Sequence, residues 1–477
     1  MALAALSGTL APSAFAQVGD GYYGVNAGDL FKLPQSQWDG QLSAMSQDGL
    51  QVLRLGAWWS DLEPGPPRGG VHTYSWGDTD QWVAAMARHG IRWEPLLSFS
   101  ATWDSAVPGD YTAYPASAAD FAAFGAALAQ RYGPGGAFWS AHPELPALPL
   151  QAYEVWNEEN AALFWHPQDD APAKYADLYA ATRGAIHAVD PGARVVVGGL
   201  AAPASGVMPA SDFVDQMVAH RPDLRGNVDA VAYHPYSPTP AGVYAQLASF
   251  RQSLDASLGA GVPIEITEVG WSSVDKPVAD IGTGLADLAT TLPRSGCGVE
   301  RMEPYSWVGP EINPSDREQW FGINNRDGSA KASATAYAAA VHQMRAPSAP
   351  TSSVAICGSA SPGPKAATRT TTARGPKLKL KITRDRRHHT RLRAIARCPA
   401  GCRLEFNVMP ARSSAAKAGA LSLLAHRTVR FSRRLHRLEL RIPPRRARSV
   451  GRRVRVDVVA IGRTGQRTLR SRSLSIA

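Results

Sequence analysis

The feature that most constrains the fold of this chain is a regular alternation of apolar runs and amphipathic segments over residues 20–345. The amphipathic segments repeat apolar residues at spacings of three and four, as Phe121, Phe124 and Leu128 do, and this spacing predicts helices. Eight strands alternating with helices over about 320 residues predict an α/β fold, a closed (β/α)8 TIM barrel. The predicted strands are Tyr23–Asn26, Val52–Leu55, Trp93–Ser98, Leu150–Trp156, Arg194–Gly198, Ala230–His234, Ile264–Glu268 and Met302–Trp307.

The same elements could also build an open, doubly wound sheet. Such sheets carry a Gly-rich phosphate-binding turn after an early strand, and none follows the predicted strands here. Ser117 is expected to cap a helix, because the acidic Asp120 follows in the first turn. The clearest helical segments are Ala118–Arg131, Ala173–Val189, Ser211–His220, Val243–Leu258 and Asp280–Leu292. We therefore expect the closed barrel.

Charge divides the 477-residue chain into two parts of opposite sign. Residues 361–477 hold 31 Lys and Arg against four acidic residues, whereas residues 1–360 hold 19 against 36. Strict alternation of basic and apolar residues, as in Lys377–Ile382, predicts about seven antiparallel strands in a small all-β, sandwich-like domain. A stretch of Ala, Pro, Ser, Thr and Gly precedes it and is typical of a linker. The predicted parts are a barrel over 17–345, a linker over 346–375 and a basic β-sandwich over 376–477.

The first residues of the chain and its cysteines predict an extracellular protein. Residues 1–16 are small and apolar and end in Ala14-Phe15-Ala16, which is typical of a secretory signal peptide. No later run reaches the ~18 apolar residues of a membrane span. Disulfides are predicted between Cys398 and Cys402 and between Cys297 and Cys357. No spacing of these cysteines is typical of a structural zinc site, so no metal is expected.

Two of the predicted strands are followed by, or end in, a glutamate. Glu158 comes after the apolar run that ends at Trp156, and Glu268 ends the run that begins at Ile264. Because the carboxyl ends of barrel strands meet at one mouth, both side chains are expected to face one pocket. Hydrolysis of a glycosidic bond with retention of configuration needs one protonated and one ionised carboxyl group about 5–5.5 Å apart.

These residues resemble the motifs of the large clan of retaining glycoside hydrolases built on (β/α)8 barrels. Asn157-Glu158 after the fourth strand resembles the acid/base motif of that clan, and Thr267-Glu268 resembles its nucleophile position. The resemblance covers about residues 20–345 and does not reach the basic tail. It implies that Glu158 is the acid/base, that Glu268 is the nucleophile, and that no cofactor or metal takes part.

Five further residues match substrate-binding positions of the clan. By this resemblance Arg54 lies beside the nucleophile and keeps it ionised, and Asn157 bonds the sugar 2-OH. His234 and Tyr236 match a His-x-Tyr motif in which the tyrosine is directed toward the nucleophile. Trp307, at the predicted end of strand eight, matches the tryptophan that forms the floor of the subsite for the cleaved sugar.

Neighbouring residues offer alternative assignments. Glu159 competes with Glu158 for the acid/base role. Glu154 and Glu265 are expected to be strand residues that face helices or form a buried pair. Five tryptophans near the predicted strand ends are each suited to the core or to a sugar platform, namely Trp58, Trp59, Trp103, Trp165 and Trp320.

The resemblance implies a retaining glycoside hydrolase that acts on plant or microbial oligo- or polysaccharides by double displacement, and the N-terminal segment adds the expectation that it is secreted. The alternative is a non-catalytic carbohydrate-binding or cell-surface attachment protein on the same barrel. The basic tail could be a solvated face, could bind an acidic cell-wall polymer, or could bind nucleic acid. Phe406 and Phe431 are its only aromatic residues, so base stacking is not expected, and the acidic polymer is preferred.

Overall fold

The structure, a computed structural model, describes residues 18–357 and seven later segments. These segments are 379–384, 391–397, 402–410, 425–432, 436–441, 453–461 and 467–475. The predicted signal peptide, residues 358–375 of the predicted linker, and Cys398 with its predicted disulfide lie outside the described residues.

Eight parallel strands form one sheet in which the spatial order of the strands follows the chain. The strands are β1 (Gly24–Asn26), β2 (Val52–Trp58), β3 (Arg92–Ser98), β4 (Ala152–Asn157), β5 (Arg194–Ala201), β6 (Ala230–His234), β7 (Ile264–Val269) and β8 (Val299–Pro304). The sheet closes between its first and last strands, where parallel bridges join Tyr23 to Met302 and Gly28 to Val308. The predicted closed barrel is therefore confirmed, and the open sheet is excluded.

A helix follows each barrel strand and packs on the outside of the sheet. The helices are α1 (Trp38–Gln47), α2 (Trp59–Leu62), α3 (Gly77–Arg88), α4 (Ala118–Tyr132), α5 (Ala137–Ala141), α6 (Ala171–Val189), α7 (Ala210–His220), α8 (Pro240–Leu258), α9 (Val278–Thr291) and α10 (Ala332–Arg345). Ser117 accepts a hydrogen bond from the backbone N–H of Asp120 at 3.1 Å, which confirms the predicted N-cap of α4. The five helices predicted from the sequence are all present.

The main hydrophobic core lies between the strands and the helices. Strand residues such as Val155 and Ile266 are fully buried there with helix residues such as Phe124 and Leu285. Each strand alternates between this core and the barrel interior, so both faces are buried and the sequence of a strand shows no polar face. The outer layer supplies the apolar burial that stabilises the barrel.

The barrel interior contains small apolar and charged side chains, whereas barrels of this type are usually filled by Val, Ile and Leu. The small residues form a separate buried cluster of Ala152, Val196, Ala230 and Ala232. The charged residues are buried and include Glu94, Glu154, Glu265, Glu303 and Arg301. Glu154 pairs with Arg54, and Glu265 accepts from Arg194 Nη1 at 3.0 Å. The sequence left two settings open for Glu154 and Glu265; both side chains are buried, and each is paired with an arginine rather than with the other glutamate.

The basic tail contains seven described strands in two antiparallel sheets, which confirms the predicted small all-β domain. The strands are β9 (Lys379–Arg384), β10 (Arg391–Arg397), β11 (Cys402–Pro410), β12 (Ala425–Ser432), β13 (His436–Arg441), β14 (Arg453–Ile461) and β15 (Arg467–Ser475). One sheet has the order β13-β10-β9 and the other β12-β11-β14-β15. Ile382, Leu392 and Val456 are buried.

A disulfide bond joins the barrel to the chain that follows its last helix. Cys297 and Cys357 are bonded, with their Cα atoms 4.9 Å apart, as predicted. The backbone N–H of Cys357 also donates to the carbonyl oxygen of Ser295 at 3.0 Å. Among the described residues, no helix is both long and apolar enough to cross a membrane.

Candidate active site

Glu158 and Glu268 share one pocket at the mouth of the barrel. Glu158 directly follows β4, and Glu268 is the penultimate residue of β7. One carboxylate oxygen of each lies within 4.8 Å of the other. Their side chains keep 17% and 13% of their surface exposed, so both are reached by solvent at the mouth. The separation suits a sugar carbon that is attacked from one side and loses its substituent with help from the other.

The surroundings of Glu268 favour its ionised form. Arg54 Nη1 donates to Glu268 Oε1 at 2.7 Å, and the Tyr236 hydroxyl donates to Oε2 at 3.0 Å. Burial acts to raise the pKa of Glu268, but the electrostatic effects of His234 and Arg54 and the two hydrogen bonds outweigh it and hold the pKa below its ordinary value. Glu268 is thus set up to be a carboxylate.

The surroundings of Glu158 favour its protonated form. Burial is the largest effect and raises the pKa of Glu158, and the negative charge of Glu268 raises it further, against the opposing effects of His234 and Arg54. His234 Nδ1 lies 3.0 Å from Glu158 Oε1. The two carboxyl groups of the pocket therefore have pKa values displaced in opposite directions, which is how an acid and a base are separated within one site.

A buried chain of hydrogen bonds fixes the orientation of the His234 ring. The Thr267 hydroxyl donates to Glu154 Oε1 at 3.2 Å and lies 3.0 Å from His234 Nε2. Because a hydroxyl has one hydrogen, Thr267 accepts from Nε2–H. The other ring nitrogen, Nδ1, therefore faces Glu158 and shares one proton with it. Sequence reasoning placed His234 in the site but did not identify Thr267 or Glu154 as its support.

Arg54 is held between the two catalytic-site strands β4 and β7. Its Nε and Nη2 donate to the two carboxylate oxygens of Glu154 at 2.5 and 2.9 Å. Nη2 also donates to Asn157 Oδ1 at 2.9 Å, and Nη1 donates to Asn26 Oδ1 at 2.8 Å. With its amide oxygen occupied by Arg54, Asn157 presents Nδ2 as a donor for a ligand. The predicted positions of Arg54 and Asn157 beside the two glutamates agree with this geometry.

The backbone around Glu158 has an uncommon conformation. Trp156 has φ +71° and Glu158 has φ +48°, values that residues other than glycine seldom adopt. The Glu158 N–H donates to the carbonyl of Gly199 at 3.0 Å, which ties this turn to β5. A Cβ on Gly199 would lie only 1.9 Å from His234 Nε2, so the site requires glycine there. The Gly198-Gly199 pair was the available sequence signal, and it was missed.

Glu158, His234 and Glu268 are also the His and acidic groups of the described residues that lie close enough together to ligate a metal ion. The guanidinium of Arg54, 2.7 Å from Glu268, opposes a second cation at this point. The arrangement suits proton transfer better than metal binding.

Comparison with known proteins adds evidence on the fold. No family model matches this chain, and no curated protein matches it in sequence. The chain is similar in structure to a monomeric β-xylosidase from Caulobacter crescentus CB15, with 17% identity, a TM-score of 0.53, and coverage of 90% of this chain and 96% of that one. The fold is that of the predicted glycoside hydrolase clan.

Two other solved structures are similar to this chain in fold. A GH39 enzyme from Xanthomonas axonopodis pv. citri matches with 17% identity and a TM-score of 0.54, over 90% of this chain and 94% of that chain. A glucosidase from Croceicoccus marinus matches with 13% identity and a TM-score of 0.52, over 90% and 95%.

The predicted floor residue, Trp307, does not reach the pocket surface. Its side chain is 0% exposed, and its Nε1 donates to Gln41 Oε1 at 2.6 Å. Strand β8 ends at Pro304 rather than at Trp307, and a cis peptide bond joins Tyr305 to Ser306 directly after it. Tyr305 is half-buried beside Phe321, with ring centroids 5.6 Å apart, and is the aromatic residue at the end of this strand. A platform needs an exposed ring face, which Trp307 lacks.

The alternative residues named from the sequence are also separated by burial. Glu159 is fully buried, so it does not compete with Glu158 for a ligand in the mouth. Trp59 and Trp165 are core residues, and Trp103 and Trp320 are half-buried. The fifth tryptophan, Trp58, is exposed.

Proposed function

We propose that this chain is a secreted retaining glycoside hydrolase that cleaves O-glycosidic bonds of plant or microbial oligo- or polysaccharides by double displacement. One observation carries the proposal: Glu158 and Glu268 share a pocket, have oxygens within 4.8 Å of each other, and have pKa values displaced in opposite directions. Such a pair supplies an acid and a nucleophile at the same pH.

In the first step Glu158 donates its proton to the glycosidic oxygen while Glu268 attacks the anomeric carbon. The bond from that carbon to the leaving oxygen breaks, and an ester forms between the sugar and Glu268. Arg54 and Tyr236 hold the attacking carboxylate in place, since each donates a hydrogen bond to one of its oxygens. Asn157 Nδ2 is positioned to donate to the sugar 2-OH, a contact that strengthens in the transition state.

In the second step the ester is hydrolysed. Ester formation removes the negative charge of Glu268, so Glu158 is ionised more easily than before. Glu158 then takes a proton from water, whose oxygen attacks the anomeric carbon and releases Glu268 as a carboxylate. Two inversions at one carbon give net retention. His234 Nδ1, 3.0 Å from Glu158, provides a second position for the proton of Glu158 during the cycle.

The sugar of the first subsite would pack against Tyr305 in place of the predicted Trp307. The similar solved structures include a β-xylosidase and a glucosidase, so xylosides and glucosides are the first substrates to test. A panel of aryl glycosides and polysaccharides then defines the sugar and the linkage.

Two variants test the assignment. Glu268→Ala should abolish turnover of an activated aryl glycoside, and added azide should restore it with formation of a glycosyl azide of inverted configuration. Glu158→Ala should slow substrates with poor leaving groups far more than activated ones, because acid assistance matters most there. Glu159→Gln is the matched control and should retain activity, because the Glu159 side chain is fully buried and has no surface that a ligand can reach.

The proposal fails if both catalytic variants keep the wild-type rate. A chain that binds oligosaccharides but turns over no glycoside would be the non-catalytic carbohydrate-binding protein instead.

The tail is proposed to hold the enzyme on an acidic cell-wall polymer, because residues 361–477 carry 31 basic residues against four acidic ones. Removal of these residues should abolish salt-sensitive binding to an anionic polysaccharide and leave hydrolysis of soluble aryl glycosides intact. Secretion is tested by N-terminal sequencing of extracellular protein, which should begin at Gln17.

A further inference from the structure

We propose that Trp58 is the platform of a second sugar subsite, adjacent to the pocket between Glu158 and Glu268. The proposal rests on the proposed hydrolase function and narrows its substrates to saccharides of at least two rings.

Trp58 differs from the other tryptophans in its exposure. Its side chain is 37% exposed, whereas the other tryptophans in the described part of the chain are buried or half-buried. Its indole Nε1 has no hydrogen-bond partner among the described residues. Trp103 and Trp320, in contrast, are half-buried, and their indole N–H groups donate to backbone carbonyls at 3.0 and 2.9 Å. Trp58 therefore offers both a ring face and a donor to a ligand.

The position of Trp58 on β2 directs it to the mouth of the barrel. Alternate residues of a strand share a face, so Trp58 and Gly56 are on the side of Arg54, whose guanidinium contacts Glu268. A Cβ on Gly56 would lie 2.0 Å from Trp58 Nε1, which shows that the indole folds back over Gly56. Gly56 lies two residues beyond Arg54, or about 7 Å along the strand.

Neighbouring aromatic rings hold the indole in this orientation. Phe99, which follows β3, meets Trp58 with ring centroids 6.1 Å apart and an interplanar angle of 60°. Phe99 is itself packed edge-on against Tyr111 at 5.4 Å and against the buried Trp156 at 6.1 Å. Trp156 directly precedes Asn157, so these rings connect Trp58 to the strand end that carries the acid. A platform fixed before binding loses little conformational freedom when it takes up a ligand.

Sugar rings fit such a platform because their axial C–H groups form an apolar patch and their hydroxyls lie at the edge. The indole face of Trp58 would stack on the patch, and its N–H would donate to a hydroxyl. Tyr305 directly follows β8 and packs against Phe321, and β8 is separated from β2 by β1 alone. The two aromatic groups would then contact consecutive rings of one oligosaccharide.

The test compares a one-ring and a two-ring substrate of the sugar that the glycoside panel identifies. The one-ring substrate is the glycosyl fluoride, which has no aromatic leaving group to stack on Trp58. The two-ring substrate is the disaccharide. Trp58→Ala should lower kcat/KM on the disaccharide by about tenfold, mostly through KM, and leave the fluoride unchanged. Trp58→Phe, which keeps a ring face, should fall between wild type and Trp58→Ala.

The control variant is Trp82→Ala, which removes a half-buried indole stacked on Phe31 at 5.4 Å and should affect both substrates equally or not at all. Equal losses on both substrates in Trp58→Ala, or no loss on either, would overturn the proposal. A wild-type protein that hydrolyses neither substrate would instead refute the hydrolase function. Calorimetric titration of oligosaccharide into wild type and Trp58→Ala would still decide the role of Trp58, with equal affinities counting against it.

Discussion

Glu154→Gln separates the structural role of the buried ion pair from the catalytic role of the pocket. Glu154 is fully buried and accepts hydrogen bonds from Arg54, Thr267 and the backbone N–H of Gly199. Removing one partner of a buried ion pair costs about 3–5 kcal/mol, because the other charge stays buried. Arg54 keeps Glu268 at 2.7 Å, and the new amide oxygen still accepts one bond. We therefore expect a loss of about 3 kcal/mol in the free energy of unfolding.

Glu268→Gln is the matched comparison, because it removes the other carboxylate that contacts Arg54. Glu268 is partly exposed at the mouth, and Arg54 keeps both bonds to Glu154. This variant should lose about 1 kcal/mol of stability and all of its activity. Glu154→Gln should lose much more stability and keep measurable turnover. Glu154 is therefore expected to matter more for stability, and Glu268 is expected to matter more for catalysis.

Urea unfolding followed by tryptophan fluorescence measures the difference. All 13 tryptophans lie between Trp38 and Trp320, so the signal reports on the barrel and not on the tail. The midpoint should fall for Glu154→Gln with an unchanged denaturant slope. A Glu154→Gln variant as stable as wild type, or as stable as Glu268→Gln, would refute the reasoning.

Three further variants test other parts of the structure. The pH profile of kcat/KM should be bell-shaped, with its alkaline limb above the ordinary glutamate range because the pKa of Glu158 is raised. Glu158→Gln should lose that limb, and a limb that persists in this variant would contradict the assignment. Gly199→Ala should reduce kcat by at least about tenfold, since its Cβ would displace His234; wild-type kinetics would show that the ring can move. Cys297→Ser should lower the unfolding free energy by about 2–4 kcal/mol, because Cys297 and Cys357 are 60 residues apart; a midpoint unchanged in urea would contradict this.

The strand pattern and the strand-end glutamates were predictable from the sequence because both depend on local periodicity. All eight strands and five helices were found at or near their predicted positions, and the barrel geometry then brings together side chains that are distant in the chain. Arg54 and Glu268 are 214 residues apart, yet they meet at 2.7 Å. The spacing of apolar residues was enough to place both on barrel strands, but the prediction ended β2 too early: Arg54 lies inside that strand, which continues to Trp58.

The end of the last strand was not predictable in the same way. Tyr305-Ser306-Trp307-Val308 continues the apolar alternation of β8, so the pattern extends the strand to Trp307. In the structure β8 ends at Pro304, and Trp307 turns into the core to bond Gln41. Periodicity detects which residues are apolar but not where a backbone leaves the sheet. The pattern therefore led to a predicted platform at Trp307, two residues beyond the Tyr305 that we propose for this role.

The support of the site was not predictable for a different reason. Both faces of a barrel strand are buried, so nothing in the sequence distinguishes the face toward the interior from the face toward the helices. Glu154 was therefore left between two settings, and the roles of Thr267 and Gly199 depend on contacts across four strands.

Alkaline conditions act on the scaffold of this protein as well as on its pocket. Burial raises the pKa of Glu265 to about 7 and that of Glu303 to about 8, well above their values in an unfolded chain. Between the ordinary pKa of a glutamate and these raised pKa values, the folded barrel therefore binds more protons than the unfolded chain. Its free energy of unfolding falls as the pH rises through that range. The highest pH at which the barrel stays folded is therefore expected to depend in part on these two buried glutamates in the barrel interior. Engineering for alkaline tolerance would begin there, at residues that never touch a sugar.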